Sequence, residues 1–456
     1  MRNDNRGDLT SGSIWAKLLW YFLPIAAGTI FQQLYNAVDG IVVSKFVGTE
    51  ALAAVGGSAA NISNTLVNFF VSVAAGGTVI IAQHYGAKND EEVSRATHTA
   101  VTFATLAGIA IGILGILLSP TLLVWMDTPV ETIPDATQYL RIVFLGAVFT
   151  LLFNMGSGIL RAVGDSKRPF YYLMGCCGLN IVLDLTFVVA FHWDVAGVAI
   201  ATIISQFVSA FLVLRRLMTT TESYRVQLKK IRIHRHSLVR LLRIGVPMGL
   251  QSLMYSITNV LIQVGINSLS TVVVASWALS GKLDGFYWGL VNAAGTAVCN
   301  FVGQNYGAGE TERVQKSVKI SFALFMGMTA LLCSILLGFG HSLLHLFTDD
   351  METLETTWKV ITYFVPYYPI WTVIEIFSGA LRGEGNTAKP FVITAIGICA
   401  VRITWVYSIF PAHHTLLCMS LCYPVSWAVT AIAIAAYYVY TRKKGTKCLT
   451  GNNGRI

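Results

Sequence analysis

Charge is scarce in this sequence. Asp, Glu, Lys and Arg make up 12% of the 456 residues, against 54% hydrophobic ones, and the mean hydropathy is +0.62. A soluble globule of this size carries roughly twice that share of charge, so a water-soluble domain is excluded. Cys-x-x-Cys pairs are missing too. The eight cysteines, at 176, 177, 299, 333, 399, 418, 422 and 448, fall mostly inside apolar runs without histidines at ligand spacing, which reads as packed thiols and not as a closed metal site. No polar segment contains G-x-x-x-x-G-K-[ST], and the one Gly-Lys, 281-282, lies inside an apolar run, which argues against a nucleotide-driven pump or any other enzyme. Nothing resembles a selectivity-filter loop, which disfavours a channel.

Long apolar runs are what the chain does have. A helix needs about 20 apolar residues to cross about 30 Å of hydrocarbon. Runs of that kind lie near 14-45, 52-83, 96-120, 136-160, 169-191, 195-217, 238-267, 271-304, 317-343, 355-381, 388-410 and 414-441. They predict an all-α integral membrane protein of twelve transmembrane helices. The polar MRNDNRGDLTSGS precedes a run too long for a signal-peptide core and is expected to be retained. With the N-terminus inside, nearly every Lys and Arg falls in a cytoplasmic segment, and only Lys45, Arg141 and Lys359 lie near the outer ends. Both termini are therefore expected in the cytoplasm of a cell whose cytoplasmic membrane holds the protein. The net charge of +9 follows from this topology and needs no nucleic-acid partner.

The second half repeats the first. QHYGA at 83-87 matches QNYGA at 304-308, and LRAVGDSKRP at 160-169 matches LRGEGNTAKP at 381-390, both at a shift of 221. Pro24 and Pro247 extend the match. Six helices per unit make the repeats parallel, which points to a transporter of two related bundles. The expected parts are an N-terminal lobe, 1-220, a cytoplasmic linker, 221-237, a C-terminal lobe, 238-441, and a cytoplasmic tail, 442-456.

These motifs, with FQQLYNAVDGIVVSKFVGTEALAAVG in the first two runs and NIVLDLTFV followed by GVAIATIISQ, resemble the multidrug and toxic compound extrusion (MATE) family of secondary antiporters over essentially the whole chain. The resemblance implies two lobes around a central cavity and export of mostly cationic, amphiphilic compounds against inward flow of Na⁺ or H⁺. One branch of the family has a glutamate eight residues after the proline of the seventh helix. Here Pro247 leads to Tyr255, which favours the DNA-damage-inducible-like (DinF-like) and related bacterial branches.

Asp39 raises the sharpest question, because a lone carboxylate at bilayer depth costs about 2.5 to 3.5 kcal/mol or more. At 1.5 Å per residue it lies about 9 Å below Lys45, Asp184 lies about 15 Å from Asp194, and Thr202 about 12 Å beyond that loop, so the three share a depth. Asn36 and Asp39 are spaced i, i+3, and Asn180 and Asp184 i, i+4, which sets amide and carboxylate on one face each time. Such a group shares a proton or holds a small hard cation through oxygen ligands. In the MATE pattern the positions matched by Asp39, Asn180, Asp184 and Thr202 form a proton- or sodium-responsive cluster, with Tyr139 close by. Na⁺ or H⁺ is then the coupling ion, with no other cofactor. The second half replaces these positions by Ile262, Val401 and Trp405, so coupling belongs to the N-terminal lobe.

The second half has its own intramembrane charges, Lys282, Asp284, Arg402 and Glu375. Asp284 is expected to pair with Arg402, or Lys282 with a neighbouring helix. Glu375 stands where the first half has Asn154 and is the candidate C-lobe substrate contact. Gln33, Tyr35, Tyr255 and Trp288 are candidate cavity residues, the aromatics by cation-π attraction or by ordinary packing. The predicted activity is export of small organic molecules by a monomer in a lipid bilayer. The alternative is a flippase for lipid-linked sugars of the same broad superfamily, which the acidic N-lobe disfavours.

Overall fold

The computed structural model describes residues 7–47, 56–126, 128–345, 347–348 and 350–451, and every regular element among them is helical. In the first half, α1 (Ile14–Val42) continues as a π turn, Val43–Val47, and is followed by α2 (Ser58–Gly86) and α3 (Asp90–Trp125). Helix α4 is Ile133–Leu145 and, past Gly146, Ala147–Ala162, with a bend of 46°. Helix α5 (Lys167–Asp184) widens into a π turn, Leu185–Ala190, and α6 is Asp194–Thr219. The second half holds α7 (Arg235–Asn267), α8 (Thr271–Gly307) and α9 (Thr311–Leu344). Helix α10 is Met351–Phe364 and Tyr368–Gly383 around a 3₁₀ turn, and α11 spans Ala388–Ile409 with two π turns. Helix α12 is Leu416–Gly451.

Nine of these helices are apolar and long enough to cross a bilayer, and the bent α4 makes a tenth. Helices α7 and α8, at 33 and 37 residues, exceed the necessary length and complete the expected twelve. The halves echo each other in detail: α4 breaks at Gly146 and α10 at Val365–Tyr367, while α5 and α11 both end in π turns.

Local chemistry explains the elements. The Asn89 side chain accepts from the Glu92 N–H (3.2 Å) and caps α3, whose first turn holds Asp90, Glu91 and Glu92 against the positive end of the helix dipole. Deeper in α3 the Thr99, Thr102 and Thr105 hydroxyls donate to carbonyls four residues back at 2.8, 2.7 and 2.9 Å, so these three need no water. Leu106, Ile109, Ile113 and Leu117 recur every three or four residues and stay exposed, as a lipid-facing stripe does.

Contacts group the chain into two units. The first comprises Met1–Ser252 and Gly303–Arg313, the second Leu253–Val302 and Val314–Ile456. Unit 1 thus takes in the start of α7 and the end of α8, a division that cuts across the sequence boundaries. The two Q-x-Y-G-A motifs meet inside it: a Cβ on Gly86 would collide with the Gln304 backbone, and one on Gly307 with the Gln83 backbone. The buried Gln304 side chain accepts from the Leu9 N–H (3.1 Å) and donates to the Ala162 carbonyl (2.7 Å), tying the N-terminal segment to the end of α4. The segment between α6 and α7 docks on α3, where Gln227 N–H donates to His98 Nε2 (3.0 Å) and His234 N–H to the Thr99 hydroxyl (3.1 Å).

Candidate functional site

The site in unit 1 starts from two carboxylates at the ends of two regular helices. Asp184 is the last residue of α5 before its π turn and is 0% exposed, and Asp39 sits four residues before the π turn of α1. A π turn leaves backbone groups out of register, and such turns gather at functional positions. The two side chains lie within hydrogen-bond reach of each other. Two acceptors facing one another make no bond unless one carries a hydrogen. Asp184 Oδ1 is also buried without a partner among the described residues.

Asn180, one turn before Asp184 and 1% exposed, joins them. In the orientation that its surroundings demand, its amide nitrogen faces Asp39 Oδ1 (3.1 Å), Asp184 Oδ2 (3.1 Å) and the Tyr35 hydroxyl (3.2 Å), and its oxygen accepts from the Thr202 N–H (3.2 Å). In that orientation the amide donates to both carboxylates. The Thr202 hydroxyl donates to the Val198 carbonyl (3.0 Å), and the Tyr35 hydroxyl lies within reach of Asp39 and Thr202.

Valines close one side of the cluster. Val42 and Val43 of α1, Val188 of the second π turn, and Val195 and Val198 of α6 form a buried core against which Val38, Val47 and Tyr139 pack. Excluding water there strengthens every charge interaction beside it. On the other side a cavity of about 690 Å³ opens, lined near the cluster by Asp39, Tyr35, Gln32, Tyr139 and Thr202 and elsewhere by Asn154 and Arg161. Asp184 and Asn180 lie behind Asp39, which connects them to the cavity.

The structure thus brings Asp39, Asn180, Asp184, Thr202 and Tyr35 together, with Tyr139 beside them. Asn36 is on the same helix, but its side chain lies outside the described residues. Gln32 lines the cavity in place of Gln33, since adjacent helical residues point about 100° apart. Asn154 and Arg161, which the sequence reading left out, are among the lining residues, and their i, i+7 spacing was the available signal.

Unit 2 corrects several expectations. Lys282 is exposed, not buried. Asp284 does not pair with Arg402: it accepts from the Tyr368 hydroxyl, while the buried Arg402 donates to Ser426 (3.1 Å) and Asn259 (3.4 Å) and stacks 4.0 Å over the Tyr423 ring. An aromatic face and neutral acceptors disperse this cation without a carboxylate. Glu375 forms an ion pair with Arg382, seven residues on along α10, so its carboxylate is already engaged. Trp288 packs against Trp371 and Trp427 (ring centroids 4.9 and 6.1 Å apart), and Tyr255 against Trp371 (5.8 Å), a packed aromatic cluster. Among the described residues no group of three or more His, Cys, Asp or Glu side chains is placed to hold a metal.

The MatE family description matches residues 24–186 and 247–407. The chain is 26% identical over 443 residues to the probable multidrug resistance protein YoeA of Bacillus subtilis, covering 95% of each chain. It is 23% identical over 386 residues to the multidrug export protein MepA of Staphylococcus aureus, covering 82% of each. Its fold matches the crystal structure of a MATE in complex with MaL6 with a TM-score of 0.90, at 22% identity, over 97% of this chain and 99% of that one. An outward-facing multidrug resistance MATE transporter matches with a TM-score of 0.89, at 23% identity, over 96% and 98%.

Proposed function

The chain belongs to the MatE family of membrane transporters, and from that premise we propose that it is a proton-coupled antiporter exporting amphiphilic organic cations. The observation that carries the reading is the buried Asp184 carboxylate within hydrogen-bond reach of Asp39, both carboxylates receiving the Asn180 amide. A proton shared by the two acceptors lets them bond where two bare carboxylates would repel. The names of the relatives, multidrug resistance and multidrug export proteins, support organic cargo.

In this reading Asp39 exchanges its proton with the cavity and Asp184 shares it. An organic cation entering the cavity competes for the negative charge that the proton neutralises. Each ligand then favours a different conformation, and that differential affinity converts a gradient into transport. The loop charges support a cytoplasmic membrane with both termini inside. The acid at the cavity wall favours cationic cargo over the pyrophosphate of a lipid-linked sugar.

Purified protein in proteoliposomes with a panel of cationic dyes, driven by an imposed pH or Na⁺ gradient, tests this. Efflux with the pH gradient alone is expected. Efflux driven only by Na⁺ would remove the proton reading, and efflux with neither would remove the antiporter.

A further inference from the structure

Just one basic side chain, Arg161, is among the described residues lining the cavity of unit 1, and Asp39 is its one acid. Arg161 ends α4, and its backbone is fixed because the Tyr21 hydroxyl donates to its carbonyl (2.6 Å). The guanidinium makes no hydrogen bond or ion pair with any described residue, and the acid of the adjoining turn, Asp165, is held by Arg168.

The internal repeat shows what is missing. At the shift of 221, Arg161 corresponds to Arg382 and Asn154 to Glu375. In unit 2 Glu375 and Arg382 neutralise each other, both largely buried. In unit 1 the Glu375 position is Asn154, whose amide donates to the Thr150 carbonyl on its own helix (2.8 Å), so the same arginine faces a cavity wall without its carboxylate. A guanidinium presents a planar fork that fits the two oxygens of a carboxylate or phosphate. Half-buried at the cavity wall, this unpaired charge is open to a counter-charge from the cavity.

We propose that Arg161 is an anion subsite of this cavity, taking a carboxylate or phosphate oxyanion of the transported molecule. The proposal rests on the reading of the cavity as the substrate site. Tyr21, level with Arg161, lies 18 residues from Asp39 on α1, about 27 Å along the helix. That exceeds the length of a small dye, so the anion is held independently of the proton site. Cargo then includes molecules that carry an acid as well as an amine.

The test uses rhodamine 123 and its free acid, rhodamine 110, which differ by one methyl ester, in equilibrium binding to the purified full chain by fluorescence anisotropy. Arg161→Gln is expected to weaken the free acid about tenfold, the worth of one charge-assisted bidentate contact, and the ester less than about twofold. Arg161→Lys, which keeps the charge without the fork, should recover only part of the free-acid binding lost in Arg161→Gln. Asn154→Glu, which keeps Arg161 but restores the pair found in unit 2, should cost the free acid as much as Arg161→Gln does. Added phosphatidylglycerol that displaces the free acid from the parent would show a lipid phosphate using the same subsite. Parent protein that does not bind the free acid, or variants that weaken acid and ester alike, would overturn the assignment. Binding needs no gradient, so a failure of proton coupling leaves this result readable.

Discussion

Replacing Asp184 by Asn should uncouple the transporter without unfolding it. The side chain is 0% exposed and receives the Asn180 amide at 3.1 Å. An asparagine there is nearly isosteric, its oxygen still accepts from Asn180 and its nitrogen donates to Asp39, so the hydrogen-bond count is kept. The stability change should stay within about 1 kcal/mol, the net worth of one such bond. The transport consequence is far larger. One proton shared by one carboxylate pair implies one proton exchanged per cycle. Exchange for a monocationic dye moves no net charge, so the membrane potential adds nothing and each pH unit is worth a factor of about ten. A gradient of two units should therefore sustain about a hundredfold dye gradient in parent proteoliposomes. In Asp184→Asn vesicles the ratio should fall to one while dye-for-dye exchange continues, and in Asp39→Asn vesicles the ratio should also fall to one. Size-exclusion chromatography confirms that the variants are intact. Uphill dye accumulation by a monodisperse Asp184→Asn protein would refute the reasoning, because it would show Asp39, the acid at the cavity wall, carrying the proton without Asp184.

Other outcomes follow from the same geometry. Glu375→Ala strands Arg382 in a largely buried position, so thermal melts of the purified protein should show a loss of about 3 kcal/mol, mostly recovered when Arg382→Met is added. In the segment between α6 and α7, burial and the nearby Arg232 and Arg95 hold His234 below its ordinary value of 6.5. A depressed histidine favours the folded form while neutral, above pH 6.5, and that contribution is lost as the pH falls through the folded value. Limited proteolysis of residues 221–234 should therefore quicken on acidification from pH 7.5 to 5.5 (test conditions of about these values), and His234→Asn should flatten the difference.

Asp39 and Asp184 were legible in the sequence because a carboxylate inside an apolar run is rare and rarely idle. The helices were legible for a similar reason, since lipid permits few other backbones. What stayed hidden depended on direction. Gln32 and Gln33 are equivalent to a depth estimate, and only the rotation of α1 selects the first for the cavity. Arg402 invited a carboxylate partner because composition weighs charge above shape, whereas the fold offers it the Tyr423 ring and two neutral acceptors. The Glu375–Arg382 pair was within reach, being two helical turns apart on one face. No residue pattern announces the π turns beside Asp39 and Asp184, because each comes from one extra residue accommodated by tertiary packing.

The crossing of Gly86 with Gln304 and of Gly307 with Gln83 is reciprocal, each motif receiving the other as it is itself received. That is the contact a two-fold axis makes when one sequence meets its own copy. Each repeat carries Q-x-Y-G-A at the same place, so one chain closes on itself the contact that two copies would make. Away from the crossing the halves differ, one carrying Asp39 and Asp184 and the other the Glu375–Arg382 pair, while neither glycine could gain a side chain without parting the backbones that meet there.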